Sequence, residues 1–341
     1  MAHRLLLISL VLGTAVLASS DICSFSSTRP HYPQCSRPPE VYIVGPSHGK
    51  GLGVFGTHDL DVGDVIVRET PILKIDPPAF VPGRGYPMSD VSRLVLKEFN
   101  ALPHDQQEEI MSLTYPTTTE DSQDRLGTIF KNNAYNTGTQ VGLFPLIARI
   151  NHSCRPNTSY YWSEKLNKRI VYATRNIKQG EEFSVSYIPL LLARQQRQNL
   201  LARYGFKCAC EACAQHNAES DSRRLTLKKA FVDFEPQLTL DHPASEKAAQ
   251  VARSNAAASL QLAKLVHQEG LADYYAKAYR IAAISHARVR DWQPAAVWAN
   301  RGYELKYIED PDSLFTAEMH NLTSRFIASW EGELQEQRRG G

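Results

Sequence analysis

Asn151-His152-Ser153-Cys154-Arg155-Pro156-Asn157 comes directly after the apolar run 143–150, so a dense group of polar side chains stands immediately after a segment that must be buried. Upstream, Gly49-Lys50-Gly51-Leu52-Gly53-Val54-Phe55 reads as a Gly-rich turn between strand-like segments. No Lys-Ser/Thr pair and no helix pattern come after it, which excludes a Walker loop and a dinucleotide fingerprint. Downstream, Gly180-Glu181-Glu182-Phe183-Ser184-Val185-Ser186-Tyr187 reads as a turn and a strand over 183–187 that ends in a tyrosine. Behind that strand comes Cys208-x-Cys210-x-x-Cys213.

The rest of the composition is ordinary. The chain has 341 residues, 43% hydrophobic and 22% charged, which excludes wholesale disorder. A formal charge of +2 gives no electrostatic case for nucleic acid or a membrane surface, and no direct nucleic-acid binding is expected. Residues 1–20 have a basic start, an apolar run over 5–17 and a small-residue exit at Ala18-Ser19-Ser20, the layout of a secretory signal peptide. The expectation is entry into the secretory pathway, with nucleus or cytoplasm as the alternative, and no membrane span once the signal is cleaved. Cys23 and Cys35 then lie in a Ser/Pro/Arg-rich linker, 21–40, either as a small disulfide loop or as free thiols. Asn151, Asn157 and Asn321 each begin a glycosylation sequon.

Val41-Tyr42-Ile43-Val44, Val65-Ile66-Val67 and 169–173 read as strands. Ser89 is the expected cap of a helix with Val91, Leu94, Val95 and Phe99 on its apolar face, with a helix over 104–113 and one carrying Leu126, Ile129 and Phe130 after it. After Ala214 the chain turns Ala-rich and helical. Leu271, Tyr274, Tyr275, Ala278 and Ala282 share one face. Ala295, Trp298, Ala299, Gly302 and Tyr303 share a second, after Pro294 in a first turn. Phe315, Met319, Leu322, Phe326 and Trp330 share a third. Small residues facing aromatics suggest one tetratricopeptide-like hairpin. A polar run places a domain boundary near 215–224, and Arg223-Arg224 with Lys228-Lys229 reads as a solvated helix face or a weak nuclear address.

Cys208, Cys210 and Cys213 put thiols within six positions, a soft donor set suited to zinc. A closed tetrahedral site needs a fourth ligand, and His216 and Cys154 are the candidates.

Taken in order, these stretches resemble SET-domain protein methyltransferases over about 41–213. The resemblance is closest to the SET-and-MYND (SMYD) group and its fungal-type relatives. Those have an insertion in the SET domain, matching 77–123, and a helical C-terminal domain. The insertion here contains no Cys, so the family's MYND finger is not in it, and the C-terminal domain is short. The fold implied is α+β: a β-rich SET domain of small sheets with a pseudoknot over 41–188, a helical insertion, a zinc-binding post-SET segment over 189–214 and an all-α, TPR-like domain over 225–335.

The resemblance implies S-adenosyl-L-methionine as cofactor and a protein lysine, histone or non-histone, as substrate; the alternative is an inactive SET scaffold serving as an interaction module. His48, Lys50, Gly51 and Leu52 would line the cofactor pocket, with Lys50 near the methionine carboxylate. Asn151 and His152 would hold the methionine and adenine portions, Phe206 would stack on the adenine, and Tyr187 would be the catalytic tyrosine in contact with the cofactor. Cys154 would join Cys208, Cys210 and Cys213 on structural Zn2+. Asn132, Asn133 and Asn136 lie in a stretch that serves the cofactor or substrate side in the family. Tyr160, Tyr161 and Trp162 are candidates either for a narrow lysine channel or for plain strand packing.

Overall fold

The computed structural model describes residues 40–83, 85–116, 124–215 and 218–340. The expected signal peptide, the linker cysteines Cys23 and Cys35, the end of the insertion at 117–123 and the ligand candidate His216 lie outside the described residues. Val41–Gly341 forms one structural unit.

β1 (Tyr42–Ser47) and β2 (Gly51–Gly56) form an antiparallel hairpin in register from Tyr42 opposite Gly56 to Ser47 opposite Gly51. The expected Gly-rich turn is thus only His48-Gly49-Lys50, and the rest of that stretch is strand. β3 (Val65–Glu69) and β4 (Leu73–Ile75) come next. Then come α1 (Met88–Asn100), α2 (His104–Met111) and α3 (Arg125–Asn133). Ser89 does not cap α1. The helix starts one residue before it, and Pro87, with its preset φ, precedes the first turn without a side-chain cap.

β5 (Ala134–Thr137) and β6 (Gln140–Leu143) continue to the two-residue β7 (Asn151–His152), then β8 (Thr158–Ser163), β9 (Lys168–Ala173) and β10 (Ser184–Val185). The strands form small sheets: β1-β2, β10-β7, β3-β9-β8 and β4-β6-β5. The strand expected over 183–187 shrinks to two paired residues, because β7 offers it a partner only two residues long. Val54, Ile66, Val67, Phe144, Ile147, Ile150, Val171 and Phe183 form one core under the sheets. Val91, Val95, Ile110, Ile129 and Phe130 form a second, which seats α1, α2 and α3 on the β4-β6-β5 sheet. Each such side chain contributes about 1.5–3 kcal/mol by leaving water.

α4 (Arg194–Leu201) and the short α5 (Glu211–Ala214) carry the chain past the cysteines. α6 (Ala218–Phe234), α7 (Glu246–Glu269), α8 (Tyr275–Arg288), α9 (Trp292–Glu309) and α10 (Leu314–Gly340) make an all-helical C-terminal region. The polar run read as a boundary is mostly the first turns of α6. Its basic cluster divides: Lys228 and Lys229 are exposed, as a solvated face requires, but Arg223 is half-buried and Arg224 fully buried. The face read from Leu271 onward starts as a 3-10 turn, and α8 proper begins at Tyr275. α8, α9 and α10 share a core of Ala283, Ala295, Ala299, Met319 and Phe326. Gly302 leaves room for the Met319 side chain between α9 and α10: a Cβ there would stand 2.5 Å from Met319 Cε, which would have to swing aside.

Candidate active site and metal centre

Two residues of parallel pairing organise the site: Ser184 lies opposite Asn151 and Val185 opposite His152. A parallel pair needs a long crossover, and residues 153–183 supply it. The Ser153 N–H donates to the Val185 carbonyl at 3.0 Å, and the Phe183 N–H donates to the Val54 carbonyl at 2.8 Å. Segments 51–56, 151–153 and 181–187 are thereby tied together. Asn157, almost fully buried, locks the junction. Its amide donates to the Glu182 carbonyl at 2.9 Å, and its oxygen accepts from the Ser184 N–H at 2.7 Å.

Glu182 is the hub on the hairpin side. Its carboxylate accepts from Asn151 Nδ2 at 2.7 Å, Ser47 Oγ at 2.8 Å and Lys50 Nζ at 2.8 Å. Burial works against its charge, but the hydrogen bonds from Lys50, Asn151 and Ser47 prevail and hold it below the ordinary carboxylate range. Asn151 also donates to the Leu52 carbonyl at 2.9 Å. Gly53 makes this convergence possible, since a Cβ there would lie 2.7 Å from Glu182 Oε1 and 3.2 Å from Asn151 Nδ2. His48, Lys50, Gly51 and Leu52 stand exposed around the hairpin turn, on the rim of this polar cradle.

His152 is buried, and that burial lowers its pKa to about 4, so the ring is neutral. Nδ1 accepts from the Tyr187 N–H at 3.1 Å, which assigns the ring proton to Nε2, 3.3 Å from Cys154 Sγ. The Tyr187 hydroxyl donates to the Ile150 carbonyl at 2.7 Å, and burial raises its pKa. Ring centroids of His152, Tyr204 and Phe206 stand 5.4, 5.3 and 6.4 Å from that of Tyr187. Phe206 is half-buried, edge-on to Tyr187 and 6.3 Å from His152. The structure thus brings Asn151, His152, Tyr187 and Phe206 together. Asn132 and Asn133 are not part of this group: their amides bond carbonyls of their own helix at 2.8 Å.

The ligand atoms of Cys154, Cys208, Cys210 and Cys213 all lie within 4.8 Å of one another, and Cys154 Sγ is 3.6 Å from Cys213 Sγ. A tetrahedron with Zn–S bonds of about 2.3 Å has S···S edges of about 3.8 Å, so the four sulfurs fit zinc. Hydrogen bonds from Cys154, Cys208 and Cys213 hold the Cys210 thiol well below its usual range, while hydrogen bonding with Cys208, Cys210 and Cys213 holds the Cys154 thiol well above it. Gln198 clamps Cys208 from both sides, donating to its carbonyl at 2.7 Å and accepting its N–H at 3.0 Å. Arg194 donates to the Cys213 carbonyl at 2.8 Å.

Between β8, β9 and the C-terminal helices lies a cavity of about 330 Å³, lined by Tyr160, Tyr161, Tyr172, Ser186, Asp273 and Glu309 among others. Tyr160 and Tyr161 point to opposite faces of β8, as strand alternation requires. Tyr160 packs beside Tyr135 at 5.3 Å, whereas Tyr161 meets Tyr172 at 6.2 Å. Ser186 places one end of the cavity next to Tyr187. Glu182, Tyr204 and Tyr135 went unrecognised in the sequence. Only Glu182 had a local signal there, as the second carboxylate after the Gly180 turn.

The SET domain family matches residues 51–188. Over 193 residues the chain is 30% identical to the histone-lysine N-methyltransferase set5 of Schizosaccharomyces pombe, covering 55% of this chain and 56% of that protein. Over 219 residues it is 27% identical to the putative SET domain-containing protein L678 of Acanthamoeba polyphaga mimivirus, covering 57% and 85%. Over 90 residues it is 33% identical to the human histone-lysine N-methyltransferase SMYD3, covering 26% and 21%. The chain thus spans about half the length of the yeast relative and a fifth of the human one. Residues 51–188 of this chain match the SET domain family, and the chain is similar to SET5- and SMYD3-type histone-lysine methyltransferases.

Proposed function

We propose that this protein is an S-adenosylmethionine-dependent protein-lysine methyltransferase with Tyr187 as its catalytic tyrosine. The observation that carries the reading is the convergence of Tyr187, Asn151, His152, Phe206 and the Ser47–Lys50–Glu182 cradle on one short parallel pair. The cradle of donors and carboxylate suits a zwitterionic amino-acid group, and the half-buried Phe206 ring suits a base. Bound there, S-adenosylmethionine supplies an electrophilic methyl carbon: the amine lone pair forms the N–C bond while the S–C pair stays on sulfur.

The chain's own part is orientation and electrostatics. The Tyr187 hydroxyl, oriented by the Ile150 carbonyl, keeps its lone pairs for the reacting centre, where C–H···O contacts orient the methyl group. The substrate lysine would enter from the cavity beside Ser186, past Tyr160. Cys154, Cys208, Cys210 and Cys213 would hold structural Zn2+ and fix the Phe206 segment against the Asn151–His152 segment. The names of the relatives make histone lysines the first substrate class to test.

Intact Tyr187, Asn151 and His152 argue against a non-catalytic scaffold. Calorimetric titration of zinc-loaded full-length protein with S-adenosylmethionine discriminates. Saturable binding that weakens in Asn151→Ala supports the enzyme, and a loaded, folded protein that binds none refutes it.

A further inference from the structure

Arg169, on β9, is 4% exposed, yet no carboxylate of the described residues pairs with it. A buried cation is ordinarily paired. Here rings replace the counter-ion. The guanidinium carbon lies 4.7 Å from the Tyr135 centroid, 4.8 Å from that of Tyr160 and 5.4 Å from that of Phe144. One terminal nitrogen donates to the Asn136 carbonyl, and Nε has no partner. Glu69 stands opposite Arg169 in the β3–β9 register, but its carboxylate is taken by the N–H groups of Leu146 and Ile147 at 2.9 and 2.8 Å.

The rings that hold Arg169 also face the site. Tyr135 and Tyr160 meet edge to face at 5.3 Å, and both pack in the same cluster as Tyr187. Tyr160 lines the cavity, and Asp273 from the helical side and Tyr204 from the segment after α4 both act on it. An incoming ammonium would therefore meet a carboxylate, Asp273, at the cavity and a fixed cation, Arg169, behind the aromatic wall further in. Glu69, Tyr135, Tyr187 and Tyr204 are the other titratable groups further in, and the cavity itself is lined by Tyr160, Tyr161, Tyr172, Asp273, Asp310 and the Lys306–Glu309 ion pair, closed at 2.5 Å. Lys306 has Glu309 as its counter-ion, whereas Arg169 holds its charge behind the aromatic wall at every working pH with no carboxylate partner among the described residues.

We propose that Arg169 is a positioning residue: caged by Tyr135, Tyr160 and Phe144, its charge keeps the lysine amine that reaches Tyr187 in the neutral form that can attack. This rests on the methyltransferase reading. The ammonium proton leaves to water before transfer, and the freed lone pair forms the new N–C bond. Like charge in a desolvated site disfavours a second cation, and one fixed charge is worth on the order of one pH unit there.

The test measures the pH dependence of kcat, which reports groups in the bound complex, using full-length protein, labelled cofactor and core histones as probe, with a proteome extract in parallel. Arg169→Gln and Arg169→Met should move the acid limb up by about one unit, so turnover near neutral pH falls about tenfold and recovers above the limb. Arg169→Lys should keep the limb in place. Melting temperature and calorimetric cofactor affinity are read on every variant. An unmoved limb in variants that fold and bind cofactor overturns the proposal. Loss of cofactor affinity in both uncharged variants makes Arg169 structural and overturns it too. A wild-type protein that binds cofactor but methylates no lysine in histones or extract refutes the methyltransferase reading itself, and this proposal falls with it.

Discussion

The guanidinium of Arg224 donates to the carbonyl of Cys154 at 3.0 Å across 70 residues of sequence. The same fork donates to the Leu190 carbonyl and to Glu269 at 3.0 Å each, and Glu269 also accepts from Ser220 at 2.6 Å and Arg223 at 2.5 Å. Arg224 and Glu269 are both fully buried. The helical C-terminal region is therefore bonded directly to the backbone of a cysteine in the four-thiol cluster.

Glu269→Ala should cost about 3–5 kcal/mol, because it leaves the buried Arg224 without its carboxylate. The double replacement Arg224→Met, Glu269→Leu should recover part of that loss. Denaturant midpoints of the single and double variants check this. A single variant within about 1 kcal/mol of wild type would show that the network contributes little.

Cys154→Ser should lower zinc stoichiometry, melting temperature and cofactor affinity together. The thiolate closes a set whose atoms come from segments 154 and 208–213, and hydroxyl is a poor zinc ligand. Metal analysis beside calorimetry is the check. One tightly held zinc with unchanged cofactor affinity in the variant would place the fourth ligand elsewhere.

Glu69 gives a pH signature. Burial raises its pKa from 4.5 to about 7, while hydrogen bonds from Leu146 and Ile147 oppose the shift only in part. The folded state then holds a proton that the unfolded chain releases. Its contribution to stability is full below pH 4.5 and is lost as pH rises to about 7, at most about 3 kcal/mol in all. Glu69→Gln should be less stable throughout, since its amide faces a backbone N–H, but the decline between those pH values should flatten. Urea midpoints at both ends of the window measure it, and parallel slopes for the two proteins would contradict the assignment.

The seven residues from Asn151 to Asn157 were legible because they crowd one stretch of chain, and the three clustered cysteines were legible by spacing. The α+β class and the all-helical tail came from residue periodicity and the resemblance together. Strand 183–187 was overread, because β propensity in Phe183 and Tyr187 says nothing about the length of the partner, and β7 is two residues long. Arg224 was misread as part of a solvated face because it is polar in sequence and central in space, where Glu269 and the Cys154 carbonyl satisfy it. The Arg169 cage had no local signal at all, since its rings come from β5, β8 and the segment at Phe144.

Tyr187→Phe should lower kcat at least about a hundredfold while cofactor affinity changes less than about threefold, because the hydroxyl acts at the reacting centre and the ring keeps its contacts with His152, Tyr204 and Phe206. Its loss of the Ile150 bond should cost about 1 kcal/mol of stability, seen as a small drop in melting temperature.

The most direct measurement incubates zinc-loaded wild-type and Tyr187→Phe protein with isotope-labelled S-adenosylmethionine and core histones or a proteome extract, then maps the label by mass spectrometry. Labelled methyl groups on lysine ε-amines are expected with wild type, and a nearly blank map with Tyr187→Phe. Label on other side chains, equal labelling by the two proteins, or none from a wild-type protein that binds the cofactor would contradict lysine methylation through Tyr187.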